Sequence, residues 1–297
     1  MLSVAAARAD EPFFRVLLED PPAEILAETQ FAGAAREIEA QWGAWANAVG
    51  EGIGLPRPAP LRIYLFGSRR FALLARGSVA EWGLGYATWP GGPIVLDLER
   101  LARDQKNLAE LVRHELSHVY LGQRLGRAPP PRWFIEGLAQ LQAGEWRVAD
   151  RLALVRAGAT GRLPQLRDAG DFAGNAQQAH VAYVASLWTV SRLSADLSAR
   201  GGLPVLIDKA TESGRFDLAF EELTGRRPAQ YAAESAAGLR MRYGWLALLS
   251  DPPSLFGVMT VLFLLGAWMS RRRTSRRLLE MEAEEGLSPS TPEDPAT

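Results

Sequence analysis

Two of the chain's three histidines, His114 and His118, lie four residues apart around Glu115 in the sequence HELSH. In an α-helix, residues i and i+4 lie on one face a turn apart, so both imidazoles can reach a single metal ion. Glu115 follows the first histidine and is placed to hydrogen-bond a water molecule on that metal. The alternative is a solvated helix face on which the histidines are incidental.

The residues around this motif predict a helix from Gln105 to Leu125, because apolar residues recur there at helical spacing. Asp104 is the predicted N-cap. Gly126 and the prolines at 129–131 are predicted to end the helix. The two histidines therefore lie in mid-helix, where side-chain rotamers are well held, as a preorganised metal site requires.

A catalytic zinc site usually takes three protein ligands and leaves one position for water, so a third ligand is needed. His180 is one candidate. Glu136 is the better one, because it lies in a second predicted helix, ending near Gly144, among apolar residues where an unpaired charge is costly. The alternative for Glu136 is an exposed helix glutamate. A carboxylate on a helix packed against the first helix would complete a His₂Glu site.

The HExxH pattern at 114–118, followed by WxxEGxA at 133–139, resembles the gluzincin metallopeptidases, and in particular the bacterial proteins called peptidase MA-like. The likeness extends from about Leu61 to Tyr243. It implies an α+β, thermolysin-like zincin fold. In that fold a small mixed sheet precedes the active-site helix and a helical subdomain follows.

The resemblance also implies a role for each site residue. His114, His118 and Glu136 would bind Zn²⁺, and Glu115 would act as general base. Gluzincins often carry an acidic residue one turn after the glutamate ligand, where it orients a histidine ligand, but this chain has Gln140 there. An amide accepts a hydrogen bond from imidazole without adding negative charge, so we expect a weaker zinc affinity or a lower rate.

A helix predicted from Ala179 to Leu197 offers a donor for the oxyanion that develops on an attacked carbonyl. Tyr183 best matches a tyrosine of the resembling proteins and is the predicted catalytic donor. His180 lies on the same helix face and is the second candidate. The alternative for Tyr183 is a side chain buried for packing.

Strands are predicted at 61–66 and 94–98, and the sequence PGGP at 90–93 predicts a turn before the second strand. The resemblance suggests that 86–98 forms an exposed sheet edge that pairs with an extended peptide; an interior strand is the alternative. Upstream, apolar spacing predicts a helix from Ala23 to Val49. Short helices are predicted from 201 to 243.

An uncharged and largely apolar stretch at 252–270 predicts a C-terminal transmembrane helix. At about 1.5 Å per residue it would reach roughly 28 Å, close to the thickness of a bilayer core. Arginines at 271–273 follow it, which predicts a cytoplasmic tail at 271–297 that is partly disordered. A buried core helix is the alternative.

Residues 1–9 resemble the end of a signal peptide, with Ala7-Arg8-Ala9 as the cleavage site. Together with the predicted span, they predict a single-pass protein of a bacterial cell membrane. The metallopeptidase domain, residues 10–245, would then lie outside the cytoplasm. If the C-terminal span alone directs insertion, the domain would instead lie in the cytoplasm.

Composition narrows the function classes. The net charge of −1 gives no sign of a nucleic-acid partner, and without cysteine there is no disulfide framework, thiol nucleophile or Cys-based zinc site. We therefore predict a membrane-anchored zinc metallopeptidase that acts on a peptide or protein substrate. The alternatives are a catalytically silent zincin-fold module for binding or assembly in the envelope, and a zinc hydrolase of a non-peptide amide.

Overall fold

We describe a computed structural model of the chain at residues 13–75, 83–126, 129–166, 172, 175–243 and 252–285. The chain divides into two compact units, residues 1–242 and 243–297. Within the described residues, the first unit contains a small sheet and several helices, and the second contains one long helix. The predicted signal-peptide remnant at 1–9 and the last part of the predicted tail, 286–297, lie outside the described residues.

The first unit begins with a mixed sheet. Its strands are β1 (Phe13–Leu18), β2 (Ala23–Glu28), β3 (Leu61–Phe66), β4 (Gly85–Ala87) and β5 (Ile94–Asp97). They are ordered β1-β2-β3-β5-β4. The inner strands β2, β3 and β5 are parallel, whereas β1 and β4 pair antiparallel at the two edges. The predicted strand pair is thus present, and the 86–98 segment divides between edge strand β4 and interior strand β5.

The predicted helix from Ala23 to Val49 is wrong in its first part. Residues 23–28 form β2, in register with β3 from Ala23 opposite Leu61. The side chains of β2 alternate between buried and half-buried, which is the period of a strand. The helix itself, α1, begins at Ala32 and ends at Ile53.

Helices cover both faces of the sheet. Tyr64 and Phe66 of β3 form an aromatic cluster with Phe71 of α2 (Ser68–Ala75) on one face. The alternate residues Ile63 and Leu65 point to the opposite face and are fully buried. On that side α1 and α4 (Leu108–Leu125) contact the strands. Because both faces are covered, β3 is nearly continuous in apolar residues.

The helix α4, which carries the HELSH motif, begins after a polar cap and ends at a glycine. Asn107 is its N-cap, and the Asn107 side chain accepts a hydrogen bond from the backbone N–H of Glu110 at 3.1 Å. The predicted cap Asp104 instead follows a separate short helix, α3 (Leu98–Arg103). Gly126 ends α4 as predicted, with a φ of 61° that favours glycine.

The part of the first unit that follows α4 is mainly helical where the structure describes it. Six α-helices are described there: α5 (Arg132–Ala143), α6 (Val148–Ala159), α7 (Ala176–Leu197), α8 (Gly202–Ser213), α9 (Phe216–Thr224) and α10 (Pro228–Tyr243). The predicted short helices of 201–243 are α8, α9 and α10. The helix α5 packs against both α4 and α7, so it forms the link between the HELSH helix and the helical half.

The contact between α5 and α7 depends on Gly137. A Cβ at Gly137 would lie 2.4 Å from the carbonyl oxygen of Ser186 on α7, far inside van der Waals contact. One turn on, the Gln140 side-chain amide donates to the carbonyl of Tyr183 at 2.9 Å. Since Glu136 immediately precedes Gly137, this close helix contact fixes the position of the Glu136 side chain.

The predicted transmembrane helix at 252–270 is wrong, and with it the predicted membrane partner. These residues belong to α11 (Pro252–Glu285), a helix of 34 residues that continues unbroken through Arg271, Arg272 and Arg273. Among the described residues, none of the helices combines the length and the apolar character that crossing a bilayer demands. The apolar run is therefore part of a longer helix whose second half is charged.

We predict that Gly137→Ala lowers the free energy of unfolding by about 2–3 kcal/mol, because the added methyl group forces α5 and α7 apart. Chemical denaturation of the two proteins measures the difference. Gly33→Ala on α1 is the control, since a Cβ there meets nothing within 4 Å. We expect Gly33→Ala to change stability by less than about 1 kcal/mol, in the stabilising direction. Equal effects of the two substitutions would contradict the packing argument.

Candidate metal centre

Three predicted ligands come together between α4 and α5. Oε2 of Glu136 lies 3.8 Å from Nε2 of His114 and 3.8 Å from Nε2 of His118. The two imidazole rings meet edge to face with centroids 4.9 Å apart. One ligand atom from each residue lies within 4.8 Å of the other two. All three side chains are half-buried.

This arrangement fits a zinc ion. Ligand atoms bound tetrahedrally at 2.0–2.1 Å are separated by about 3.3 Å. The observed separations of 3.8 Å exceed that value by only about half an ångström, so small side-chain shifts suffice to bind the ion. The donor set of two imidazoles and one carboxylate is one that zinc uses in catalytic sites.

The protonation states of Glu136 and His118 favour cation binding. Burial opposes the charge of Glu136, but its interaction with His114, 3.8 Å away, and the neighbouring positive charges lower the Glu136 pKa to about 2. Burial lowers the pKa of His118 to about 4. Glu136 is therefore ionised and His118 neutral near pH 7, the forms in which these groups bind metals.

His114 differs from His118 because it has a second carboxylate partner. Its Nδ1 lies 2.9 Å from Oε1 of Glu145. Burial works against the charged imidazole, but the charge of Glu145, the nearby carboxylate of Glu136 and the hydrogen bond to Glu145 raise the His114 pKa well above its usual range. His114 is therefore protonated without a metal and must lose that proton when it binds one.

Gln140 does not have the place that the family pattern suggests. Its side-chain amide donates to the carbonyls of Glu136 at 3.1 Å and Tyr183 at 2.9 Å, so it joins α5 to α7. Glu145, five residues further on, brings its carboxylate within hydrogen-bond distance of His114. The sequence motifs do not predict this contact. The feature of the sequence that indicates it is Gly144, because glycine commonly ends a helix. In the structure Gly144 ends α5 with a φ of 78° and turns the next residue back toward α4.

Glu115 is buried beside the three ligands, with 5% of its surface exposed. Its carboxylate packs against Gly85 of the edge strand β4: a Cβ at Gly85 would lie 2.9 Å from Oε1 of Glu115 and 2.8 Å from Cδ2 of Leu96. Burial raises the pKa of Glu115 to about 7; the positive charge of His114 opposes this shift, and the charges of Glu136 and Glu145 add to it.

Tyr183 lies on α7 close to the same site. Burial is the largest cause that raises its pKa to about 12, and the charge of Glu136 contributes, whereas Arg132 opposes the shift. The Tyr183 ring meets the ring of Phe172 edge to face, with centroids 5.4 Å apart. Tyr183 therefore remains a neutral hydroxyl donor across the physiological pH range.

Arg132 is a further site residue that the sequence motifs did not indicate. Its Nε lies 3.3 Å from Oε1 of Glu136, and its guanidinium lies 4.8 Å from the centroid of Phe172. Its positive charge also acts on Tyr183, where it opposes the rise in the pKa of the hydroxyl. Arg132 thus connects the carboxylate ligand with the predicted oxyanion donor. The feature of the sequence that indicates this contact is the i,i+4 spacing between Arg132 and Glu136 on one helix.

His180 is placed differently from the three ligands. Its Nε2 lies 3.3 Å from Oδ1 of Asp150 on α6, and about half of its side chain, 51%, is exposed. It is not part of the His114, His118 and Glu136 group. Of the two candidates for third ligand, the structure brings Glu136 and not His180 to the pair of histidines.

Comparison with known proteins gives a distant likeness among solved structures. No protein-family model matches the sequence, and no curated protein matches it. Among solved structures, the fold is similar to that of a two-domain M1 zinc metallopeptidase, a mutant bound to L-arginine. The TM-score is 0.44 and the identity 12%, over 77% of this chain and 52% of the other, so this chain spans about half of that protein's length. We base the proposed function on the site residues and not on this likeness.

The two histidines His118 and His180 allow a matched test of the metal site. We expect the unchanged protein to bind one equivalent of Zn²⁺ and His180→Ala to do the same, whereas His118→Ala loses that equivalent because only two ligands remain. Zinc content after gel filtration, measured by atomic absorption, distinguishes the variants. One equivalent retained by His118→Ala would show that the ligand set is wrong.

Proposed function

We propose that this protein is a zinc-dependent metallopeptidase. The observation that carries the proposal is the group of His114, His118 and Glu136, with the buried carboxylate of Glu115 beside it. Zinc bound by these three residues supplies a Lewis acid for a peptide carbonyl and lowers the pKa of a water molecule toward about 7. Two imidazoles, a carboxylate and an adjacent carboxylate base form a set suited to amide hydrolysis.

Glu115 is the general base of the proposed reaction. It accepts a proton from the attacking water and delivers it to the leaving amine. A base works best when its pKa lies near the operating pH, and burial raises the pKa of Glu115 to about 7. The positive charge of a bound metal would lower that pKa, so Glu115 is ionised when the site is filled.

Tyr183 is the donor proposed for the oxyanion that forms on the attacked carbonyl. Its hydroxyl stays protonated because burial raises its pKa to about 12. The contacts with Arg132 and Phe172 restrict its orientation. A donor held in place before the reaction stabilises the developing charge without reorganisation.

The edge strand β4 supports an extended peptide as substrate. Among the described residues, β4 pairs on one side, with β5, and lies at the edge of the sheet; Gly85 of β4 packs against Glu115. A peptide that adds to the open edge would run past the proposed base. Backbone hydrogen bonds to such an edge favour a peptide over a short non-peptide amide, because they need a repeated amide backbone.

Glu115→Gln tests the proposed chemistry. We expect the variant to retain its zinc and its fold, since the amide has the same shape, and to lose hydrolysis by a factor of about 10³ or more, because its base is removed. The measurement is cleavage of a mixed peptide library by the zinc-loaded full chain, followed by mass spectrometry. Glu110→Gln, on the same helix but hydrogen-bonded to Arg147, should cleave like the unchanged protein.

Two results would count against a peptidase. One is the absence of any chelator-sensitive cleavage by the zinc-loaded protein. The other is cleavage that persists in Glu115→Gln, which would assign the hydrolysis to another group or a contaminant.

Gly85→Ala tests the placement of the base. The new methyl group needs the space that the Glu115 carboxylate occupies, and a displacement of about 1 Å can cost roughly 100-fold in rate. We expect kcat to fall by about that factor while zinc content is unchanged. Ala87→Gly, two residues along the same strand, is the control and should reduce kcat by less than about threefold. Full activity of Gly85→Ala would mean that Glu115 need not stay against β4.

A further inference from the structure

We propose that Glu145 is the carboxylate that orients His114 for metal binding, from a position nine residues after Glu136 and not one turn after it. The inference rests on the proposed zinc site, although not on peptide hydrolysis. Glu145 is a positioning residue, since it contacts a ligand and not the metal.

The contact between Glu145 and His114 selects which imidazole nitrogen faces the metal. Oε1 of Glu145 lies 2.9 Å from Nδ1 of His114, and the opposite nitrogen, Nε2, lies 3.8 Å from the Glu136 carboxylate. When Nδ1 carries the proton and donates it to Glu145, the lone pair of Nε2 is free for the metal. A carboxylate acceptor also makes the imidazole a more basic ligand.

The end of α5 places Glu145 at this position. Gly144 has a φ of 78°, and its N–H bonds the carbonyl of Gln140 at 3.0 Å. The N–H of Glu145 also bonds the Gln140 carbonyl, at 3.1 Å, so the chain folds back over the last turn of the helix. Arg113, which precedes His114 on α4, donates to the carbonyl of Ala143 at 2.7 Å. This bond ties the end of α5 to the turn of α4 that carries His114.

Glu110 on α4 is a second carboxylate in this part of the chain, and its partner is not a histidine. Oε2 of Glu110 accepts a hydrogen bond from the Arg147 guanidinium at 2.5 Å. Glu110 therefore serves as the charge control for Glu145, because its substitution removes one negative charge and leaves the contact between Glu145 and His114 in place.

Position 140 has a different task in this chain. Gln140 is buried and its amide nitrogen donates to two carbonyls, those of Glu136 and Tyr183. A carboxylate there would face the two carbonyls and could donate to neither at neutral pH. The α5–α7 contact therefore favours an amide at 140, and the carboxylate for His114 comes from the next turn of chain.

The test is the zinc affinity of the metal-free full chain, titrated against a chromophoric chelator at pH 7.5. We expect Glu145→Gln to weaken zinc binding by about tenfold and Glu145→Ala by about 100-fold, since the first loses the charge and the second loses the acceptor as well. Glu110→Gln removes one negative charge nearby and should weaken binding by less than about threefold. Thermal melting of each metal-free variant shows whether the fold is kept.

A second measurement reports on His114 directly. In the zinc-loaded protein, ¹⁵N-resolved NMR of the histidine rings should show a proton on Nδ1 of His114 that is shifted in Glu145→Gln and lost to solvent exchange in Glu145→Ala. In Glu110→Gln the signal should stay where it is. A general charge effect on the site would not produce this difference.

The outcomes separate the two proposals. Unchanged affinity and an unchanged ring signal in folded Glu145→Gln and Glu145→Ala would overturn the role of Glu145. An equal loss in Glu110→Gln would overturn it too, because charge alone would then explain the effect. If zinc affinity depends on Glu145 while no peptide is cleaved, the role of Glu145 stands and the peptidase proposal fails.

Discussion

Three carboxylates and two imidazoles share one largely buried space between α4 and α5, and the rest of the fold has to hold them there. Glu115, Glu136 and Glu145 repel one another in such a space. Without a metal, the protonated His114 offsets part of this repulsion, and the raised pKa of Glu115 offsets more. A divalent cation among the ligands would do the same while leaving Glu115 ionised. The stability cost of such a cluster has to be met by packing elsewhere.

Much of that packing lies on α5, which packs against both α4 and α7. Gly137 lets α5 approach α7 closely, and Gln140 adds two hydrogen bonds along the same contact. Arg113 then joins α4 to the end of α5. Each site residue on α5 is therefore positioned by a contact made within one turn of it. A site held by such short connections can keep its geometry even where the surface nearby is open.

The sequence predicted those parts of the site that depend on local spacing. An i,i+4 repeat on a helix brings His114 and His118 together whatever the rest of the chain does, and the apolar neighbours of Glu136 predicted that its charge needs a partner. Glu145 could not be found in this way, because its place depends on the geometry of the α5 C-cap and on the Arg113 contact. His180 shares a helix face with Tyr183, yet its partner Asp150 lies on another helix.

The difference between local spacing and tertiary contacts also explains which secondary-structure predictions are wrong. Residues 23–28 fit a predicted helix as well as a strand, because the few apolar residues of so short a segment are compatible with either spacing. Pairing with β1 and β3 decides between them, and that pairing is not visible in local spacing. Asp104 and Asn107 are both good caps, but α3 occupies the residues up to Arg103 and leaves Asn107 as the first residue free to cap α4.

Glu115 and Gly85 show how the sheet and the helices depend on each other at the site. Glu115 lies on the buried face of α4, where a carboxylate is costly, and the missing side chain of Gly85 provides the room for it. β4 is also an edge strand of the sheet. The edge proposed to pair with a peptide and the contact that buries Glu115 therefore come from one short strand. A bulkier residue at 85 would strengthen the sheet locally, because glycine is a weak strand former. The chain has glycine there, which favours the placement of Glu115 over the stability of the sheet edge.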